Sequence, residues 1–160
     1  AQLGRQNEAR ALIARASQTE PPMPTLAIRL DFTRAVVTAL EGRITEAEQQ
    51  FQRLVESEAT DEATRDYGRF WYCTALAWGT KPSRAVVPCR EMAKRERAAG
   101  RVLLALLAEL RVAEAKLAEG ARGEAASLAE AVGREMAGWG EESEWRWRAK
   151  AVPPRWRRDR

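Results

Sequence analysis

The sequence predicts an all-α fold built as a solenoid of helix pairs, and three observations lead to it. Ala, Leu, Glu and Arg dominate the 160 residues while Ile, Tyr and Phe are sparse, so intrinsic propensity favours helix almost throughout. No stretch alternates apolar with polar residues for long, which removes the signature of a half-buried strand. A short motif also returns at a nearly constant interval, and such returns mark stacked units that bury their faces against one another.

The motif has the form G-x-x-x-E-A. It occupies residues 4–9, 42–47 and 120–125, opening on Gly4, Gly42 and Gly120 and closing on Ala9, Ala47 and Ala125. Apolar or small residues follow each Ala four and seven positions on, as Ile13 and Ala16, Phe51 and Leu54, and Ala129 and Val132. That spacing is one face of a helix. A fourth, degenerate copy runs from Ala85 to Cys89 and Met92, with Gly79 one residue further upstream than the pattern requires. The repeating Ala residues stand at 9, 47, 85 and 125, intervals of 38, 38 and 40. The physics is local: a Gly ends the first helix of a pair by entering the left-handed region, and a small Ala one turn into the next helix lets the two approach closely.

These anchors place the elements within one domain, residues 1–152. A lone second-type helix falls in the half repeat 4–20 and is ended by Pro21, Pro22 and Pro24, since Pro cannot continue a helix. Helix pairs follow at about 25–58, 61–97 and 101–138, then a capping helix at 141–151 and a basic tail at 153–160. Pro88 falls inside the second helix of the middle pair, so that helix either kinks or starts late, near Val86; the enlarged turn at 79–82 favours the late start. A chain that opens halfway through a repeat leaves the face of residues 5–18 without a partner helix. That suggests a piece of a longer solenoid, or a domain with something docked there.

Ala35, Gly42, Ala47 and Phe51 together resemble the tetratricopeptide repeat, whose motif has a small residue in the first helix, Gly at the turn, then Ala and an aromatic on the second. In the middle pair Cys73 and Cys89 take the small and the aromatic position. In the third, Ala113, Gly120 and Ala125 match, but Ala129 replaces the aromatic. The period exceeds the 34 residues of that family, and the Trp and Pro at the ends of its repeat are missing. The resemblance covers roughly 4–140 and implies a right-handed solenoid of about 3.5 repeats, with first helices lining a concave face and second helices a convex one.

In that register the concave residues are Arg29, Phe32, Val36 and Leu40 from the first pair, Tyr67, Phe70, Thr74 and Trp78 from the second, and Leu107, Leu110 and Glu114 from the third. The middle row is rich in aromatics, and residues 67–78 are apolar nearly all round. Two readings stand side by side: an apolar trough that anchors a partner segment, or rings that are simply core. Some relatives of this kind clamp a partner's terminal carboxylate with Lys, Asn and Arg; here Phe32, Val36, Phe70 and Thr74 hold the comparable places, which argues against that use.

The net charge of +4 is unevenly placed: residues 145–160 carry +6 and residues 1–144 carry −2. Trp145, Arg146, Trp147 and Arg148, then Arg155, Trp156, Arg157 and Arg158, interleave rings with cations. That composition can bind phosphates by charge and bases by stacking, although a solvated terminus with Trp145 closing the stack accounts for it more simply.

Enzymatic readings fail on inventory. The chain has no His, so no Ser-His or Cys-His dyad and no His metal ligand can form. Gly79-Thr80-Lys81 lacks the upstream glycine of a phosphate loop, and Gly138-Trp139-Gly140 is too short for a dinucleotide fingerprint. Cys73 and Cys89 lack CxxC spacing and read as buried thiols of a reducing, cytoplasmic compartment, or as a disulfide across a helix pair. No apolar run reaches a bilayer-spanning length; the longest, 102–108, stops at Glu109. The expectation is a non-enzymatic scaffold or chaperone-like adaptor with no cofactor, holding a protein or peptide on its concave face. The alternatives are a regulatory or oligomerisation module of a larger bacterial transcription regulator or signalling ATPase, and a nucleic-acid or anionic-surface binder working through its tail.

Overall fold

The computed structural model describes residues 6–18 and 24–137, and these are helical nearly throughout, with no strand among them. α1 (Gln6–Ser17) precedes α2 (Pro24–Leu40) and α3 (Ile44–Glu56), then α4 (Glu62–Trp78) and α5 (Val86–Ala98), then α6 (Val102–Ala118) and α7 (Arg122–Ala137). A 3₁₀ turn, Pro82–Ala85, runs directly into α5. Pro88 is therefore the third residue of α5, where its missing N–H removes no helical hydrogen bond. The expected capping helix at 141–151 and the basic tail lie outside the described residues.

Glycine chemistry sets the turns. Gly42 and Gly120 adopt φ of 80° and 85°, and the turns around them close with paired backbone bonds. Gly42 N–H donates to Ala39 O and Arg43 N–H to Thr38 O; Gly120 and Ala121 repeat the pattern on Leu117 and Lys116. This is the Schellman arrangement, which satisfies the last carbonyls of α2 and α6. A third copy sits at Gly100, φ 73°, which ends α5 and joins one helix pair to the next. Gly79 departs from the expected left-handed turn. Its φ of −73° is ordinary, and the chain leaves α4 in an extended conformation before the 3₁₀ turn. The extra residues of this connection make a left-handed reversal unnecessary.

Each helix packs on the next in sequence, and α4 also contacts α2 and α6. By contrast α3, α5 and α7 make no direct backbone contact with one another within 8 Å. One core joins α2, α3 and α4 through Ala35, Ala39, Ala47, Phe51 and Ala75. A second joins α4, α5 and α6 around Cys73, Ala85, Cys89, Met92 and Val112; a third joins α6 and α7 through Leu106, Leu107, Leu110, Val132 and Met136. The small positions of the repeat, Ala35, Cys73 and Ala113 on first helices, Ala47 and Ala125 on second ones and Ala85 at the end of the 3₁₀ turn, are all buried. Among the described residues Phe51 is the largest fully buried side chain. It meets Phe32 edge-on at 6.1 Å and stacks on Trp71 at 6.0 Å, and Trp71 meets Phe70 at 6.0 Å.

Charge fastens the middle of the stack. Glu96 is fully buried on α5 and accepts from Arg101 Nε at 2.5 Å, while Arg101 Nη2 reaches Asp66 of α4 at 2.8 Å and Asp66 also takes Arg69 at 2.5 Å. Two buried carboxylates are tolerated because two guanidinium groups meet them. On the other helices Arg84 bridges α5's entry to Glu48 of α3, Arg90 pairs with Glu124, and Arg97 pairs with Glu109 and Glu135. These side chains cross the gaps that the backbones of α3, α5 and α7 leave open.

Two measurements check this account. Phe51→Ala removes the ring on which Phe32 and Trp71 rest and is expected to cost about 3–5 kcal/mol of stability by chemical denaturation. Arg97's hydrogen bond holds the Glu135 carboxyl below the usual carboxylate range. Because the folded value lies below the unfolded one, the pair stabilises the fold at neutral pH, and that stability is lost as pH falls through the depressed value. Glu135→Gln is therefore expected to melt with a shallower acid dependence than the wild type between about pH 6 and pH 3, read by circular dichroism.

Candidate interaction face on α2, α4 and α6

The eleven concave residues expected from the sequence divide in the structure into exposed, half-buried and buried sets. Tyr67, Trp78 and Leu40 are large and open to solvent at 54%, 42% and 46% exposure. Arg29 is exposed, and Phe32, Val36, Phe70 and Glu114 are half-buried. Thr74, Leu107 and Leu110 are buried. This corrects the expectation that those three line an open trough: Leu107 and Leu110 belong to the α6–α7 core, and the Thr74 hydroxyl donates to Phe70 O on its own helix at 3.0 Å. Phe70 packs against two of the three cores, and Phe32 and Val36 against the other. The apolar circumference of α4 follows from its place between α2, α3, α5 and α6.

What remains open is concentrated on one stripe. Residues 67 and 78 are eleven positions apart, three helical turns, so they share a face of α4 and stand about 16 Å apart along it. Trp78 is fixed from one side. Its Nε1 donates to Glu114 Oε2 at 3.3 Å, and the Arg111 guanidinium lies 5.5 Å from its ring centroid while Arg111 Nη1 donates to the same carboxylate at 2.5 Å. A cation over an indole face is attracted by the ring's quadrupole, so α4 and α6 present a ring that is held rather than free to rotate. Two members of the concave set, Trp78 and Glu114, thus meet across neighbouring first helices. Arg111 was missed from the sequence, although its position three residues before Glu114 is a helix-surface pairing signal.

At the other end of the row Arg29 lies near the start of α4. Asp61, the N-cap of α4, accepts from the Thr64 hydroxyl at 2.7 Å and the Thr64 N–H at 2.9 Å. Those bonds hold its carboxyl below the usual range, and the charge of Arg29 adds to the effect. The bound carboxylate fixes where α4 begins and so where Tyr67 projects.

The two thiols are free and buried together in the core between α4 and α5. A hydrogen bond with Cys73 and then burial push the Cys89 thiol far above its usual range, which suppresses the thiolate that nucleophilic chemistry needs. Among the described residues no group of three His, Cys, Asp or Glu is placed to hold a metal ion, and no helix is long and apolar enough to cross a membrane. Arg155, Trp156, Arg157 and Arg158 lie outside the described residues. Comparison with family models, curated proteins and solved structures found no match.

The division into core and surface is testable by thermal melts. Tyr67→Ala and Trp78→Ala are expected to stay within about 1 kcal/mol of the wild type. Phe70→Ala is expected to lose about 3–5 kcal/mol because its ring supports two cores.

Proposed function

We propose that this chain is a non-enzymatic protein-binding module, a tetratricopeptide-like solenoid that takes an extended segment of a partner polypeptide along α2, α4 and α6. The observation that carries the reading is the pair of solvent-open rings on one stripe of α4, with Trp78 locked by Arg111 and Glu114. Rigid aromatic anchors lose little side-chain entropy on binding and dominate interface energetics. The order of helix contacts supports the architecture: first-type helices touch one another in series, while second-type helices only flank them. An extended chain rises about 3.3 Å per residue and alternates its side chains between two faces, so two partner side chains about four residues apart would reach toward Tyr67 and Trp78 together.

A photoreactive phenylalanine analogue placed at Tyr67 or at Trp78 should capture the partner in cells, whereas the same group at the still more exposed Val87 of α5 should not. Trp78→Ala should weaken the captured interaction about tenfold or more with the fold intact. Equal capture at Val87, or unchanged affinity of Trp78→Ala, removes the proposal.

A further inference from the structure

The core between α4 and α5 holds the chain's two cysteines, Cys73 and Cys89, at 1% and 0% exposure. Both are free thiols, and their side chains are hydrogen-bonded to each other across the seam between the helices. They stand at facing positions of the repeat. Ala35 and Phe51 hold those positions in the first helix pair, and Ala113 and Ala129 in the third. Apolar packing is therefore met there by a small residue with a ring, or by two small residues. The middle pair places a sulfur at both.

The connection between these two helices is also the exception among the three pairs. The turns of α2–α3 and α6–α7 are closed by Gly42 and Gly120 at positive φ with paired backbone bonds. Gly79 stays at φ −73°, and the chain runs extended from it into the 3₁₀ turn Pro82–Ala85. So α4 and α5 are joined without the Schellman reversal that fixes their counterparts. A covalent link between residues 73 and 89 would close over this connection.

We propose that Cys73 and Cys89 are a thiol–disulfide couple whose oxidation pins α5 to α4 across the one helix-pair turn that no left-handed glycine closes. In this step the two S–H bonds break and one Sγ–Sγ bond forms. Two electrons and two protons pass to a low-molecular-weight disulfide, which is cleaved to two thiols. Exchange starts from a thiolate, and the folded core keeps the Cys89 thiol protonated and both sulfurs away from solvent. The reaction therefore proceeds when the seam opens locally or before it closes, so the folded structure sets the equilibrium rather than the rate. A fold that holds two sulfurs in contact favours their bond over the unfolded chain, and by the same linkage the bond stabilises the fold. Burial then shields the bond from reductants as it shields the thiols from oxidants.

The test equilibrates the full chain, native and in denaturing urea, with graded mixtures of reduced and oxidised glutathione, then alkylates the remaining thiols and reads the mass. The native chain is expected to be half-oxidised, with the bond inside one molecule, in a mixture at least about tenfold more reducing than the unfolded chain requires. The oxidised chain is expected to melt about 5 °C or more above the reduced one by circular dichroism. Cys73→Ala places the residue already present at Ala35 and Ala113, so it should fold and show no such rise after the same treatment. Cys89→Ala should likewise show none. A mixed disulfide with glutathione, or a disulfide-linked dimer, in place of the internal bond overturns the proposal. So does half-oxidation of native and unfolded chains in the same mixture, an unchanged melt, or a rise that persists in either alanine variant.

Discussion

The structure depends on helices that approach closely because their facing residues are small. Ala35 and Ala47, Cys73 and Ala85, and Ala113 and Ala125 are the recurring positions, and every one is buried. The distance between two packed helix axes is set by the side chains between them, so small residues at these positions permit a close approach. The turn at Gly42 or Gly120 leaves little room for a second solution, because two Schellman bonds fix how the chain reverses. Larger residues then fill the space where the helices diverge. Phe51 in one layer, Met92 in the next and Val132 in the last stand one or two turns beyond the small Ala, as the repeat requires.

α4 shows what this arrangement does to a helix at its centre. It is enclosed by α2, α3, α5 and α6, and its rings Phe70, Trp71 and Tyr72 go into those contacts. Among its rings, open surface is left on the remaining stripe, where Tyr67 and the terminal Trp78 emerge. Packing thus decides which of the aromatics of α4 reach solvent. Polar neighbours then set the pose of what is left: Arg111 and Glu114 orient one ring, and the Asp61 cap sets the start of the helix that carries both.

The all-helical class was legible because it rests on local rules. A Gly that must adopt positive φ, an Ala one turn later and an apolar face at four and seven residues each speak through neighbouring positions. Gly100 was overlooked because it follows a second helix, outside the motif, although it obeys the same geometry as Gly42. Gly79 looked like a member of the set, yet the longer connection to α5 let it stay in an ordinary conformation. The candidate face was less legible. Whether Thr74, Leu107 or Leu110 faces solvent depends on how each helix is rotated and on what covers it, and no pattern within one helix contains that information. The cluster in which Arg101 meets the buried Asp66 and Glu96 was hidden for a related reason: Asp66 is far along the chain from the other two, and each alone looks like a surface charge.

The two sides of the stack are held by different forces. Along α2, α4 and α6 neighbouring first helices share apolar cores, which resist separation at any ionic strength. Along α3, α5 and α7 the backbones do not meet, and the gaps are spanned by exposed guanidinium–carboxylate links at Arg84, Arg90 and Arg97. Such links are individually weak and are screened by salt. The α3–α5–α7 side is therefore the more salt-sensitive of the two. Raising the ionic strength loosens the links between these three helices and leaves the apolar cores along α2, α4 and α6 in place.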